Sequence, residues 1–178
     1  MAHPAQLNFI RSVKSTFPTF FQDKKVLEVG SLDINGSVRS FFTNCDYIGI
    51  DVGEGKGVDI VCEGQNYEAP ESSFDVTISC ECFEHNPEWK ATFANMIRLT
   101  KSNGLVIMTC ATTGRPEHGT TRTSPADSPL TIGKGWEYYK NLTVADFEMH
   151  FDFPVLFTSY GFSVNSSAKD LYFWGIRK

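Results

Sequence analysis

Residues 26–39 read VLEVGSLDINGSVR, and how this stretch is read decides the fold. Lys25 to Val29 is a short run of strand formers closed by Gly30, and the loop from Gly30 to Gly36 leads into a brief helix, Ser37 to about Phe42. Working outward, further strands are expected at Tyr47–Asp51, Val58–Cys62, Phe74–Ser79 and Leu105–Thr109. The last of these is almost continuously apolar, as a strand covered on both faces should be. A helix from about Pro87 to Thr100 turns Trp89, Phe93, Met96, Ile97 and Thr100 to one face, with Asn103-Gly104 as its stop. Upstream, Leu7, Ile10, Val13 and Phe17 recur at helical spacing and predict a leading helix. Downstream, Ala111 to Leu142 loses all rhythm. A capped helix, Thr143–His150, and two strands, Gly161–Val164 and Asp170–Ile176, then close the chain. Strands separated by helices or short crossovers predict a mostly parallel α/β sheet.

The 178 residues, 41% of them hydrophobic, suit one globular domain and exclude disorder as the main state. A net charge of -5 gives no basic surplus for coating nucleic acid, so a nucleic-acid partner is disfavoured. The start of the sequence lacks a charged segment followed by an apolar one, and no run of about 18 apolar residues occurs, so a soluble, cytoplasmic protein is expected. Five cysteines without a C-x-x-C pair fit reduced thiols.

In an open α/β sheet the ligand sits beyond the carboxyl ends of the strands. Glu28, Gly30, Asp51, Glu63 and Ser79 to Glu81 all fall at such ends. A glycine turn after the first strand lets a ligand approach the backbone and aims free N–H groups at it. An ionised acid ending the second strand can accept both hydroxyls of a ribose diol, and Asp51 is that acid. Taken alone, Asp51 would read as a turn residue before Val52-Gly53. The succession of a glycine turn, two acids and a polar Ser-Cys-Glu segment at consecutive strand ends favours the nucleotide reading.

These residues resemble class I S-adenosylmethionine-dependent methyltransferases of the type 11 kind. The resemblance rests on VLEVGSLDINGSVR (26–39), YIGIDV (47–52), SSFDVTISCECFEH (72–85) and MIRLTKSNGLVIMT (96–109), and covers Lys25 to Thr109. It implies a Rossmann-like three-layer α/β sandwich with a mostly parallel seven-stranded sheet ending in an antiparallel hairpin. It also implies S-adenosyl-L-methionine as cofactor, with Glu28, Gly30, Ser31, Asp51, Val52, Glu63, Ser79 and Cys80 around it. Gly30 and Ser31 are expected on the methionine and Glu63 near the adenine. The usual E-x-G-x-G-x-G pattern is broken, since Leu32 stands at the second glycine position and the next glycine is Gly36. A wider turn is expected. NAD binding is disfavoured by the absence of G-x-G-x-x-G.

Methyl transfer needs alignment, exclusion of water and, for a hydroxyl acceptor, removal of a proton. Glu81, Glu84 and His85 form E-x-x-E-H at the expected mouth of the site and are the catalytic candidates. Their spacing resembles that of metal-assisted O-methyltransferases, which implies Glu81, Glu84, His85 and His118 as an optional set for Mg²⁺. The expectation is no metal, with Glu84 and His85 helping to cap the following helix. No N/D-P-P-Y/F motif follows the fourth strand, which favours an O-methyl acceptor over amino-methylation of DNA bases or glutamine. The whole chain, 1–178, is expected to be a single methyltransferase domain, with 1–24 its leading helix segment and 111–142 a substrate loop or lid. That loop carries Arg115, His118, Trp136 and Tyr138, which suit a hydroxylated, even anionic, small molecule or glycan precursor. The alternatives are a non-catalytic S-adenosylmethionine-binding module and a metal-assisted enzyme acting on an RNA end.

Overall fold

A computed structural model describes residues 3–178. Seven strands form one sheet: β1 (Lys25–Val29), β2 (Asp46–Asp51), β3 (Ile60–Val61), β4 (Phe74–Cys80), β5 (Thr100–Ala111), β6 (Phe157–Asn165) and β7 (Asp170–Arg177). Their order is β3-β2-β1-β4-β5-β7-β6. The first five are parallel, while β7 runs antiparallel to both β5 and β6. The Rossmann-like sheet and its C-terminal hairpin are therefore as expected.

Alternation along the strands divides the core between two faces. Leu27 and Val29 of β1 and Val106, Met108 and Cys110 of β5 point to one face, where α2 (Trp89–Leu99) lays down Trp89, Phe93, Met96 and Ile97. Phe147 of α4 (Val144–Glu148) and Phe153 of α5 (Phe153–Leu156) complete that layer. Val26, Val76, Ile78, Leu105 and Ile107 point the other way, onto α1 (Pro4–Thr16) and the 3₁₀ turns at Pro18–Phe21 and Val38–Phe41. The fully buried stripe of α1 is Gln6, Ile10 and Val13, and Leu7 packs half-buried against the same core.

Four local expectations change. The helix at 37–42 is only a 3₁₀ turn, Val38–Phe41, because so few residues cannot offset the cost of nucleating an α-helix. β3 shrinks to Ile60–Val61: the Asp59 carboxylate takes the Gly49 N–H at 2.7 Å, replacing a ladder bond with a side-chain bond. α2 ends at Leu99, before Asn103-Gly104. Thr100 turns extended there, its hydroxyl donating to Met96 O at 2.7 Å, and β5 begins at once. Asn103, at φ 60, lies near a register shift between β4 and β5 and is no helix stop. In the 111–142 segment, α3 (Pro129–Gly133) and a 3₁₀ turn at Pro125–Asp127 supply order that the sequence did not show.

No helix of the described residues is long and apolar enough to cross a membrane.

Candidate functional site

Two adjoining clefts open over the carboxyl ends of β1, β2 and β4. The larger encloses about 640 Å³ including its mouth, and its walls include Gln6, Glu28, Gly30, Ser31, Cys80, Glu81 and His85. The smaller, about 330 Å³, is walled by Val52, Cys62, Gly64, Asn86 and Trp136, among others. Gly30, Asp51, Cys82 and Thr131 belong to both, so the two chambers meet at the Asp51 carboxylate. Their size suits a small-molecule ligand. α3 contributes Pro129, Leu130 and Thr131 to their walls.

The turn after β1 works differently from a phosphate-cradling loop. Gly30 adopts φ 80, and a Cβ there would meet Cys82 Sγ at 2.6 Å, so only glycine fits. Its N–H and that of Ser31 both donate to Ile50 O, at 2.9 and 3.1 Å. The Leu32 N–H donates to Asp51 Oδ2 at 2.9 Å, and Val52 N–H donates to Oδ1 at 2.8 Å. The amides expected to face a ligand are thus engaged within the fold. The Leu32 and Val52 amides fix the Asp51 carboxylate instead, leaving each oxygen a lone pair for a ligand hydroxyl. Burial pushes the Asp51 carboxyl up, and those two backbone bonds act against the shift.

Glu28 lies beneath the larger cleft, buried, with the Tyr47 hydroxyl donating to its Oε2 at 2.8 Å. Burial pushes its carboxyl up to about 8, so it is neutral near pH 7. With the folded value above the unfolded one, its stabilising contribution is complete in acid and lost as pH rises through about 8. Glu28→Gln keeps the shape and removes the ionisation. Thermal melts should show the variant gaining on the parent between pH 6 and pH 9, and an unchanged difference would contradict this.

The E-x-x-E-H segment leaves β4 through Glu81, at φ 52, and a 3₁₀ turn, Phe83–His85. It does not cap α2. No side chain caps α2; Asn86 braces the turn before it, its Oδ1 accepting from the Glu88 N–H at 2.8 Å and its amide donating to Thr92 Oγ1 at 2.9 Å. Glu84 and His85 are buried; the His85 ring nitrogens have no hydrogen-bond partner among the described residues, and backbone amides of Glu84 and Ala111 act on the Glu84 carboxyl. Burial, with Glu81 nearby, pushes the Glu84 carboxyl up to about 8. Burial likewise drives the His85 imidazole down to about 3, so the ring is neutral. His118 stands edge-on to His85 at 4.9 Å between centroids, with Tyr139 5.5 Å from His85. One ligand atom from each of Glu84, His85 and His118 lies within 4.8 Å of the others, as does a second trio, His3, Glu81 and Asp170. The first trio offers two imidazoles and a carboxylate, a donor set suited to Mn²⁺, Fe²⁺ or Zn²⁺ more than to oxygen-seeking Mg²⁺.

Residues 28–108 match the family model described as a methyltransferase domain. That segment, running from β1 into β5, is similar to methyltransferase domains. No curated protein matches the sequence significantly. Among solved structures, phosphoethanolamine N-methyltransferase 2 of Haemonchus contortus, bound to phosphomonomethylethanolamine and S-adenosylhomocysteine, gives a TM-score of 0.64 at 14% identity. That match covers 96% of this chain and 52% of the other, so the chain spans about half the length of the nematode enzyme. The 1,6-didemethyltoxoflavin-N1-methyltransferase of Burkholderia thailandensis, bound to 1,6-didemethyltoxoflavin and S-adenosylhomocysteine, gives 0.61 at 12% identity over 100% of this chain and 92% of that one. The YcgJ protein of Bacillus subtilis gives 0.64 at 11% identity, covering 99% of each chain. At these identities the likeness establishes the fold.

Of the expected cofactor residues, Glu28, Gly30, Ser31, Asp51, Val52 and Cys80 line the clefts. Ser79 and Glu63 do not. The Ser79 hydroxyl donates to Val29 O at 2.8 Å and ties β4 to β1. The Glu63 carboxylate pairs with Lys134 Nζ at 2.5 Å and accepts from Gln65 and Asn66. In the loop, Trp136 reaches the smaller cleft and His118 reaches His85, while Tyr139 rather than Tyr138 joins the histidines. Arg115 points away to Asp170, at 2.9 Å. Gln6, His3 and Asp170 escaped the sequence reading. Gln6 had one signal, since it shares the helical face of Ile10 and Val13.

Proposed function

We propose that this chain, acting as one methyltransferase domain with 111–142 as its lid, transfers the methyl group of S-adenosylmethionine to a hydroxyl of a small polar acceptor. The observation that carries this is the Asp51 carboxylate, held by two backbone amides where both clefts meet, with His85 opening into the larger one. Asp51 would take the ribose diol, Val52 and Trp136 would flank the adenine, and Gly30, Ser31, Glu28 and Cys80 would surround the methionine end. Bound there, the cofactor supplies a methyl activated by its sulfonium charge. As the acceptor oxygen takes that methyl and the S–C bond breaks, the hydroxyl proton, made strongly acidic by the new C–O bond, would pass to the His85 imidazole, which burial keeps neutral and weakly basic. α3 and Trp136 would exclude water. Incubation with methyl-labelled S-adenosylmethionine and a small-molecule cell extract should yield labelled product. Cofactor binding without any label uptake would instead make the chain a non-catalytic binding module.

The convergence of Glu84, His85 and His118 favours a second reading, in which the trio holds a divalent ion against the acceptor oxygen. EDTA decides between them. Transfer that continues undiminished keeps His85 as the proton acceptor; transfer that stops and returns with Mn²⁺ assigns the trio to a metal.

A further inference from the structure

The amino acid end of S-adenosylmethionine carries a carboxylate, and a cleft that takes it must offer donors or a cation. The glycine turn offers neither. The Gly30 and Ser31 amides both donate to Ile50 O, at 2.9 and 3.1 Å, and the Leu32 amide donates to Asp51 Oδ2 at 2.9 Å. Among the described residues, the walls of the larger cleft include no lysine or arginine. The cations of the loop are already held by carboxylates: Arg115 lies against Asp170 at 2.9 Å, Arg122 against Glu117 at 2.8 Å, Lys134 against Glu63 at 2.5 Å and Lys140 against Asp146 at 2.6 Å.

Gln6 is the donor left over. It stands in the first turn of α1, on the stripe it shares with Ile10 and Val13, and is fully buried while lining the larger cleft. Its amide touches the Cys80 thiol, a weak partner, and neither its oxygen nor its nitrogen makes an ordinary hydrogen bond among the described residues. A buried amide in that state costs stability, and this one faces space where a ligand can supply the missing bonds. The contact with Cys80 sets it at the end of β4, beside the residues that would surround the methionine. Other groups of the cleft are placed for other work. The Ser31 hydroxyl packs over β2, where a Cβ on Gly49 would meet its Oγ at 2.7 Å, and His85 serves the acceptor. Nearby acids do little to oppose a carboxylate: burial keeps Glu28 neutral near pH 7, with the Tyr47 hydroxyl on it, and Glu81 is paired with His3 at 3.6 Å.

We propose that Gln6 holds the amino acid end of the cofactor, its Nε2 donating to the carboxylate in place of the backbone amides of the turn. An amide presents one donor group and one acceptor, and the amino acid end presents the complement, a carboxylate and an ammonium. α1 thereby becomes part of the cofactor site, and a buried position that an apolar residue would fill more stably keeps its glutamine for binding. This role rests on the cofactor's lying in the two clefts as proposed above.

Calorimetric titration of the intact protein with two ligands tests it. S-adenosylhomocysteine carries the amino acid end, and methylthioadenosine has the same nucleoside and thioether without it. Gln6→Met keeps the length of the side chain and removes both hydrogen-bonding groups. It should lower the affinity for S-adenosylhomocysteine at least about tenfold, the loss of a hydrogen bond to a charged group, and leave that for methylthioadenosine within about twofold. The ligand-free variant should melt no lower than the parent, because a buried amide without ordinary partners has been removed. Unchanged affinity for S-adenosylhomocysteine overturns the assignment of Gln6. An equal loss for both ligands overturns it too, since Gln6 would then be a packing residue. A parent protein that binds neither ligand overturns the cofactor site itself.

Discussion

Replacing Asp51 with alanine is expected to lower the affinity for S-adenosylhomocysteine by about 100-fold or more. Two hydroxyls donating to one ionised carboxylate contribute about 1.5–3 kcal/mol each, and each 1.4 kcal/mol is about tenfold in binding. The same substitution strands the Leu32 and Val52 amides, which now donate to Asp51 at 2.9 and 2.8 Å. Some loss of thermal stability should accompany it. Asp51→Asn separates the two effects: its single oxygen retains one amide bond, and its melting temperature should lie between those of the parent and the alanine variant. Calorimetric titration of all three reads the affinity directly. Parent-like affinity in a folded Asp51→Ala protein would remove the ribose from this carboxylate.

His85→Ala should lower kcat by about 100- to 10,000-fold, the range for a general base positioned in a transition state. S-adenosylhomocysteine affinity should stay within a factor of about three. The split follows from the geometry. His85 opens into the larger cleft but makes no hydrogen bond to the residues that hold Asp51, so its removal spares the cofactor chamber. Gly119 packs against its ring, and a Cβ there would meet His85 Cε1 at 2.6 Å, so a mobile loop is a foreseeable side effect of the alanine variant. His85→Gln fills that space with a group that cannot take the proton, and it should be equally slow. A kcat unchanged in both variants would reduce His85 to packing and leave Glu84 or Glu81 as the proton acceptor.

The sheet was legible because its central strands are nearly continuous apolar runs. Leu105 to Met108 is buried on both faces, and the helix packed over it announces itself through Trp89, Phe93 and Met96 at helical spacing. Asp51 was legible because strand-end position is a local property. The cluster of His3, Glu81 and Asp170 was not, because its members come from opposite ends of the chain: His3 precedes α1, Glu81 follows β4, and Asp170 opens β7. No local pattern records that meeting. Composition also misled in the loop, where Arg115 suited an anionic acceptor yet lies against Asp170, as Arg122, Lys134 and Lys140 each lie against a carboxylate. The glycine turn misled for the same reason. Gly30 and Ser31 are where the motif puts them, but their amides answer to Ile50, a residue from the neighbouring strand.

Glu84 and His85 show what removing a bland alternative can do. As helix caps they would have been ordinary polar residues with satisfied hydrogen bonds. No side chain caps α2, and the carboxyl and imidazole are left buried and adjacent, with no side-chain hydrogen bond among the described residues, a state that costs stability and that a functional site commonly retains.

A crystal structure of the complex with S-adenosylhomocysteine tests the central claim most directly. The predicted result has both ribose hydroxyls on the Asp51 carboxylate, the adenine in the chamber walled by Val52 and Trp136, and the sulfur turned toward His85 in the larger cleft. Ligand density elsewhere on the chain, or a ribose that leaves Asp51 untouched, would contradict it.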